Sequence, residues 1–224
     1  LDTTTITLDS ADGSFSGSAI VHGFSIRNDN AATRDETVGV VTAASGANYV
    51  GMETSVANAD ADIIAFNIAR LNNATLDVLG SNLGASGTGR SNNFRIGDPT
   101  NEAAFINAVG GALVGGSGLA GSKNISIVPW AIGEDIGNNI LAVTNMGNSL
   151  VTYVTGIGFR PLNFTTEYNT LSAAAATDNA RESLTADLTG LAATTVNALV
   201  LNNNSAAAAA WNVTGATGTL AVTS

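Results

Sequence analysis

Apolar and polar residues alternate with a period of two along much of this chain, in short runs that stop at Gly or Asn. Thr3-Thr4-Thr5-Ile6-Thr7-Leu8 is the first such run and ends at the turn Asp9-Ser10-Ala11-Asp12-Gly13. Ser18 to Ile26, Ala74 to Leu79, Asn124 to Trp130 and Leu150 to Val154 continue the pattern. Alternation in Thr, Val, Ile and Leu is the signature of half-buried strands. Ile64, Phe66 and Ile68 are expected to share one strand face. Two stretches could be helical instead. Ala59 to Leu71 is rich in Ala and Ile, while Glu102 to Val114 contains Gly110 and Gly111, each costing about 1 kcal/mol in a helix interior, so loop plus strand is favoured there.

From Asn148 to Ser224 the strand-like runs are separated by Asn, Gly and Ala with hardly a charge. The clearest are Thr194 to Leu201 and Trp211 to Val222. Leu199 and Leu201 recur as Leu220 and Val222, 21 residues on, close to one turn of a three-sided coil. The expected fold class is therefore all-β, with a parallel β-helix (β-solenoid) as first choice and a β-sandwich as the alternative. Earlier coils are less regular, and Gly13 to Gly51 suits wider coils with loops or a small cap. The division this implies is an N-terminal β module or set of irregular coils over residues 1–60 and a solenoid region over 61–224.

Composition sharpens the class. Only 12% of the 224 residues are charged, against about 25% in ordinary soluble domains, and 45% are hydrophobic. Asn, Thr and Ser supply the polar surface, which suits packing against neighbours in a matrix or fibre. Eighteen acidic residues against eight basic ones, with Lys123 the sole lysine, give a net charge of −10 and disfavour nucleic acid and anionic membrane surfaces. No apolar run is long enough to span a bilayer, and no basic segment followed by an apolar one opens the chain. The start at Leu1 rather than Met reads as a processed or excerpted piece of a longer precursor. The absence of cysteine excludes disulfides, thiolate metal sites and cysteine nucleophiles without fixing a compartment.

Chemistry is sparsely encoded. Gly116-Ser117-Gly118-Leu119-Ala120-Gly121 has the G-x-G-x-x-G spacing of a dinucleotide loop, but strand-like residues follow where a helix is needed, so a glycine-rich turn is the expectation. Asp9 and Asp12 with Ser14, Asp60 with Asp62, and Glu134 with Asp135 could offer oxygens to a structural calcium ion; none has a complete loop spacing, and solvated turns are the default. Paired carboxylates could also serve glycoside hydrolysis, yet aromatics at 5% offer little surface for sugar stacking. His22, the sole histidine, has no G-x-S-x-G nucleophile to serve. Trp130 and Trp211 are expected to be core or interface anchors. N-x-S/T acceptors for glycosylation fall at Asn73, Asn124, Asn163, Asn203 and Asn212. No catalytic or cofactor-binding residue is assigned.

Leu71-Asn72-Asn73-Ala74-Thr75-Leu76, then Gly80 to Gly84, then Gly115-Gly116-Ser117-Gly118 leading into Asn124 to Gly133, occur in an order that resembles the autotransporter-associated β-strand repeat proteins. Gly158 to Asn163, Thr166-Glu167-Tyr168, Thr194 to Leu201 and Gly218 to Ser224 extend the likeness over Ala61 to Ser224. These are very large secreted or surface proteins, common in planctomycetes. The resemblance implies a non-enzymatic β-solenoid passenger on the cell exterior with a structural or adhesive role, and no catalytic motif is carried over. The expected function is thus an extracellular structural protein of a surface layer, matrix or filament, acting by self-assembly or adhesion. Its expected partners are copies of itself or a larger parent chain, and a cell-surface polysaccharide. A carbohydrate-binding or polysaccharide-degrading β-helix protein and a pilus- or phage-like sandwich subunit are the competing classes.

Overall fold

The computed structural model describes residues 3–10, 23–29, 32–54, 59–86, 91–107, 109–136, 148–184, 188–203, 213–215 and 220–223. The chain is all-β, with a single helix among these residues, and it divides into two units interleaved in sequence. One comprises residues 1–113 and 130–161, the other residues 114–129 and 162–224.

The first unit holds β1 (Ile6–Ser10), β2 (Gly23–Asn28), β3 (Glu36–Thr54), β4 (Ile63–Arg70), β5 (Thr75–Gly80), β6 (Phe94–Ile96), α1 (Pro99–Ile106), β7 (Ala131–Asp135), β8 (Ser149–Val154) and β9 (Gly158–Pro161). Their strands form one nine-stranded mixed sheet. The 19-residue β3 runs through two parallel columns: its first half pairs with β1 and β4, its second half with β2 and β5. The bend between them falls at Gly46, with φ +65°, where a side chain would collide with the Ser10 carbonyl. β6 extends the first column and β7 the second, both in parallel, and β8 and β9 follow β7 antiparallel. Phe159 of β9 stacks on Phe94 of β6, ring centroids 5.4 Å apart, so the two ends of the sheet meet.

Ile63 and Ala65, and Val50 and Met52, are buried at alternate positions, as side chains on one face of a pleated strand should be; Val38 and Val41, three apart on β3, are both buried too and pair with Ala65 and Ile68. The alternation is interrupted in β4, where Ile68 turns inward while Phe66 is 49% exposed. Ile64, Phe66 and Ile68 therefore do not share a face, contrary to the period-two reading. Ala59 to Leu71 contributes a strand, and its end turns into β5 through Asn72 and Asn73, both in the left-handed region.

Glu102 to Val114 corrects the expectation of loop plus strand. Asp98 caps α1 by accepting from the Asn101 backbone N–H (2.9 Å), and Pro99 sits in the first turn, where its missing N–H costs nothing. The helix ends at Ile106, so Gly110 and Gly111 lie beyond it and their helix penalty never applies. Its buried residues are Glu102 and Phe105. Phe105 joins Trp130, Tyr153 and Phe159 in one aromatic cluster. Glu102 Oε1 accepts from the Tyr153 hydroxyl (3.2 Å) and the Gly156 backbone N–H (2.8 Å), while the Tyr153 oxygen accepts from Ile96 N–H (2.7 Å). Burial, reinforced by the Glu102 carboxylate, holds the Tyr153 phenol well above its ordinary pKa.

The second unit holds β10 (Asn179–Leu184), β11 (Leu188–Leu191), β12 (Thr194–Val196), β13 (Ala198–Asn203), β14 (Val213–Gly215) and β15 (Leu220–Val222). They pair in parallel one to one, β10 with β13, β11 with β14 and β12 with β15. Two successive levels of three short strands result. The expected stacking of Leu199 and Leu201 on Leu220 and Val222 is not what forms. Leu199 and Leu201 lie beside Ala180 and Glu182, whereas Leu220 and Val222 lie beside Thr194 and Val196. Asn197 is the reason: it separates β12 from β13, so the two halves of the run belong to different sheets. Asn124 to Trp130, expected as a strand, contributes only isolated bridges at Ile125 and Ile127; the neighbouring strand is β7.

Buried asparagines tie the levels together. Asn179 Nδ2 donates to the Ile125 carbonyl (2.9 Å), and Asn197 Nδ2 donates to Asn179 Oδ1 (2.7 Å). Leu171, Ala180 and Val196 form the core beside this ladder, with Ala174 and Leu199 packed against them.

Candidate functional site

The residues that could bear chemistry are largely occupied in holding backbone. Asp60 Oδ1 accepts from Ser91 N–H (3.0 Å), and Asp62 Oδ1 from Asn93 N–H (2.8 Å), while Asp62 Oδ2 faces Arg95 Nε at 3.4 Å. Burial raises the Asp62 pKa, with the Asn93 N–H and Arg95 opposing the shift and Asp35 adding to it. These carboxylates stitch the loop before β4 to the one before β6. Asp9 accepts from the Ser45 hydroxyl, and Asp135 Oδ1 from Asn82 N–H (2.7 Å). Glu134 Oε1 accepts from Asn148 Nδ2 (3.2 Å), and burial, then the neighbouring Asp135, raises its pKa. Among the described residues no group of three His, Cys, Asp or Glu side chains is placed to hold a metal ion. Asp12, Ser14, His22 and Trp211 lie outside the described residues. Trp130 is buried in the aromatic cluster.

The glycine-rich run folds as a turn in which Gly118 N–H returns to the Asn124 carbonyl (3.0 Å). Gly121 N–H donates to Glu167 Oε1 (2.8 Å), and Asn163 N–H to Glu167 Oε2 (2.7 Å). This buried carboxylate gathers two loop amides, a role no motif announced.

The glycosylation acceptors differ in setting. Asn73 is exposed at the left-handed corner after β4. Asn163 is exposed, but its Oδ1 accepts from Thr165 N–H (2.9 Å) and Thr166 N–H (3.1 Å). Asn124 is half-buried against Gly116 and Gly118. Asn203 ends β13, and Asn212 lies outside the described residues.

Glu53, on β3, is the carboxyl with the clearest titration. Burial pushes its pKa from 4.5 up to about 7, with Asp29 adding and Arg27 opposing. Tyr49, on the same strand, is pushed up to about 12 by burial first and then by Glu53 and Asp77. Because the folded pKa of Glu53 lies above the unfolded one, its favourable contribution is complete below about pH 4.5 and is lost as pH rises through about 7. Glu53→Gln is expected to leave the melting temperature unchanged at pH 4. At pH 8 it should raise it by roughly 2–4 °C, the shift that ~1 kcal/mol produces in a chain of this size once solvent screening is allowed for. Thermal melts of both proteins from pH 4 to 8 test this, and parallel curves would refute it.

The feature that stands apart is the last level of the second unit. Among the described residues β13, β14 and β15 each pair on one side only. Val196 is fully buried, whereas Val222, directly beside it in register, is 51% exposed. Leu201 and Leu220 are 47% and 36% exposed. Thr223 fastens β15 by donating its N–H to the Val196 carbonyl (3.1 Å). Val222 thus has buried Val196 on one side and, among the described residues, no strand on the other. Natural edges are blunted by Lys, Pro or bulges, and Ala198-Leu199-Val200-Leu201-Asn202-Asn203, Val213-Thr214-Gly215 and Leu220-Ala221-Val222 carry no Lys or Pro. Sequence reading recognised these strands but not which of them forms the open level, since that depends on register. Among the described residues no helix is long and apolar enough to cross a membrane. No protein-family model, curated protein or solved structure matches this chain.

Proposed function

We propose that this chain is an extracellular structural protein of a surface layer, matrix or filament, which works by laying β-strand levels on one another. We read its coils as a parallel β-helix. Supporting this are the two parallel columns through β3, the three parallel pairs of the second unit and the asparagine ladder between levels. The observation that carries the function is the open level of β13, β14 and β15. Its strand edges, which have no partner strand among the described residues, and half-exposed Leu201, Leu220 and Val222 are the surface on which a further level, supplied by a second copy, would sit.

Covering the exposed half of Val222 is worth about 1 kcal/mol, and each 1.4 kcal/mol is tenfold in association. A carboxylate at that place would have to be desolvated as well. Val222→Asp is therefore expected to raise the concentration needed for self-association at least tenfold while leaving the fold intact, because the side chain is half in solvent already. Light scattering and negative-stain imaging across a concentration series check this. Particles of the parent protein that keep one short length at every concentration would overturn the assembly reading.

A further inference from the structure

A groove of about 670 Å³ lies on the first strand column, crossing the segment just before β1, then β3, β4 and the end of β6. Its size falls within the range of small-ligand sites. At ~4.8 Å between strands it runs roughly 14 Å across the sheet. Val40, Ile64 and the half-exposed Phe66 make an apolar floor. Thr3, Thr5 and Thr37 stand along it, and their side-chain hydroxyls have no hydrogen-bond partner among the described residues. The charged groups at its end are already engaged: Arg95 with Asp62 at 3.4 Å, and Asp98 as the cap of α1.

Each property constrains the ligand. The charges at its end are of both signs, with Arg95 beside Asp62 and Asp98 at the start of α1, so no cluster of one sign is presented to attract an anion or a cation. On the floor itself the Gly39 N–H already donates to the Thr4 carbonyl (2.9 Å), so an extended peptide lying over β3 finds that N–H taken. An apolar floor with one aromatic ring, bordered by threonine hydroxyls, matches a molecule with an apolar face and a hydroxyl rim. Pyranose rings have that character, and in β-linked chains they lie extended. We propose that this groove binds a neutral β-linked glycan, one ring stacked on Phe66 and hydroxyls bonded to Thr3, Thr5 and Thr37. This is independent of the assembly reading, because none of these residues belongs to β13, β14 or β15.

The test uses the full chain carrying Val222→Asp, so that self-association and glycan binding are read separately. Cellohexaose and chitohexaose are titrated by calorimetry and by saturation-transfer NMR, with hexagalacturonate as the charged counterpart and a long-chain fatty acid as the apolar one. Saturable binding of at least one neutral hexasaccharide is expected, at least tenfold tighter than that of the uronate. Phe66→Ala should weaken it at least tenfold, and Phe66→Trp should retain it; circular dichroism confirms that both variants fold. Lack of binding by both neutral probes would overturn the proposal, as would binding indifferent to Phe66→Ala or a preference for the fatty acid or the uronate.

Discussion

Phe159→Ala is expected to lower the unfolding free energy by about 3–5 kcal/mol, the largest effect of any single substitution in the first unit. Phe159 is fully buried and touches every other ring of the cluster: Phe94 stacked at 5.4 Å, Tyr153 edge-on at 5.4 Å, Phe105 at 6.0 Å and Trp130 at 6.4 Å. The cost combines lost transfer free energy with a cavity that the surroundings cannot readily fill, since β6, β7, β8, β9 and α1 are held by their own ladders and by Glu102. Phe159→Leu, which keeps most of the volume, should cost much less. Urea unfolding followed by tryptophan fluorescence reports on this site through Trp130. A loss below about 1 kcal/mol for the alanine variant would show that the rings do not form one packed core.

The second large effect falls on the asparagine ladder. Asn179→Ala removes the acceptor for Asn197 Nδ2 and the donor to the Ile125 carbonyl, and both Asn179 and Asn197 are buried. Leaving a buried polar group without a partner costs about 1–3 kcal/mol, so a total loss near 2–4 kcal/mol is expected. The double variant Asn179→Ala with Asn197→Ala should cost less than the sum of the two single changes, because removing both partners leaves fewer orphaned groups. Equilibrium unfolding of the four proteins in this cycle measures the coupling. Strict additivity would mean that the two amides do not act on each other.

Strand existence was legible in Ala74 to Leu79 and Leu150 to Val154 from short runs of β-branched and aliphatic residues bounded by Gly and Asn, although both faces of β5 and most of β8 are buried. Strand partners were not. The 21-residue echo between Leu199 and Leu220 looked like stacking, yet Asn197 separates β12 from β13, and the true partner of Val222 is Val196. A corner residue costs no periodicity, so a one-dimensional pattern cannot reveal it. The helix is hidden for a related reason: Gly110 and Gly111 speak against one over Glu102 to Val114, while its start signals, Asp98 and Pro99, lie before that stretch. Carboxylates that looked like ligand pairs, Asp60 with Asp62 above all, accept backbone N–H groups about thirty residues away, and short-range spacing carries no trace of that use. The groove is not legible in the sequence because it depends on Phe66 facing out while Ile68 faces in, a break in the alternation of β4.

The interleaving of the two units bears on how the chain is made. Residues 114–129 leave the ribosome well before 162–203, yet Ile125 waits for Asn179, and Gly121 waits for Glu167. Long-range closures of this kind are slow, since loop entropy is lost before any contact compensates for it. Translation or translocation from the N-terminus would therefore complete the nine-stranded sheet around a still-unfolded insertion. Glu167 and Asn179 thereby secure the glycine-rich turn and the asparagine ladder only after the strands of the nine-stranded sheet have been made.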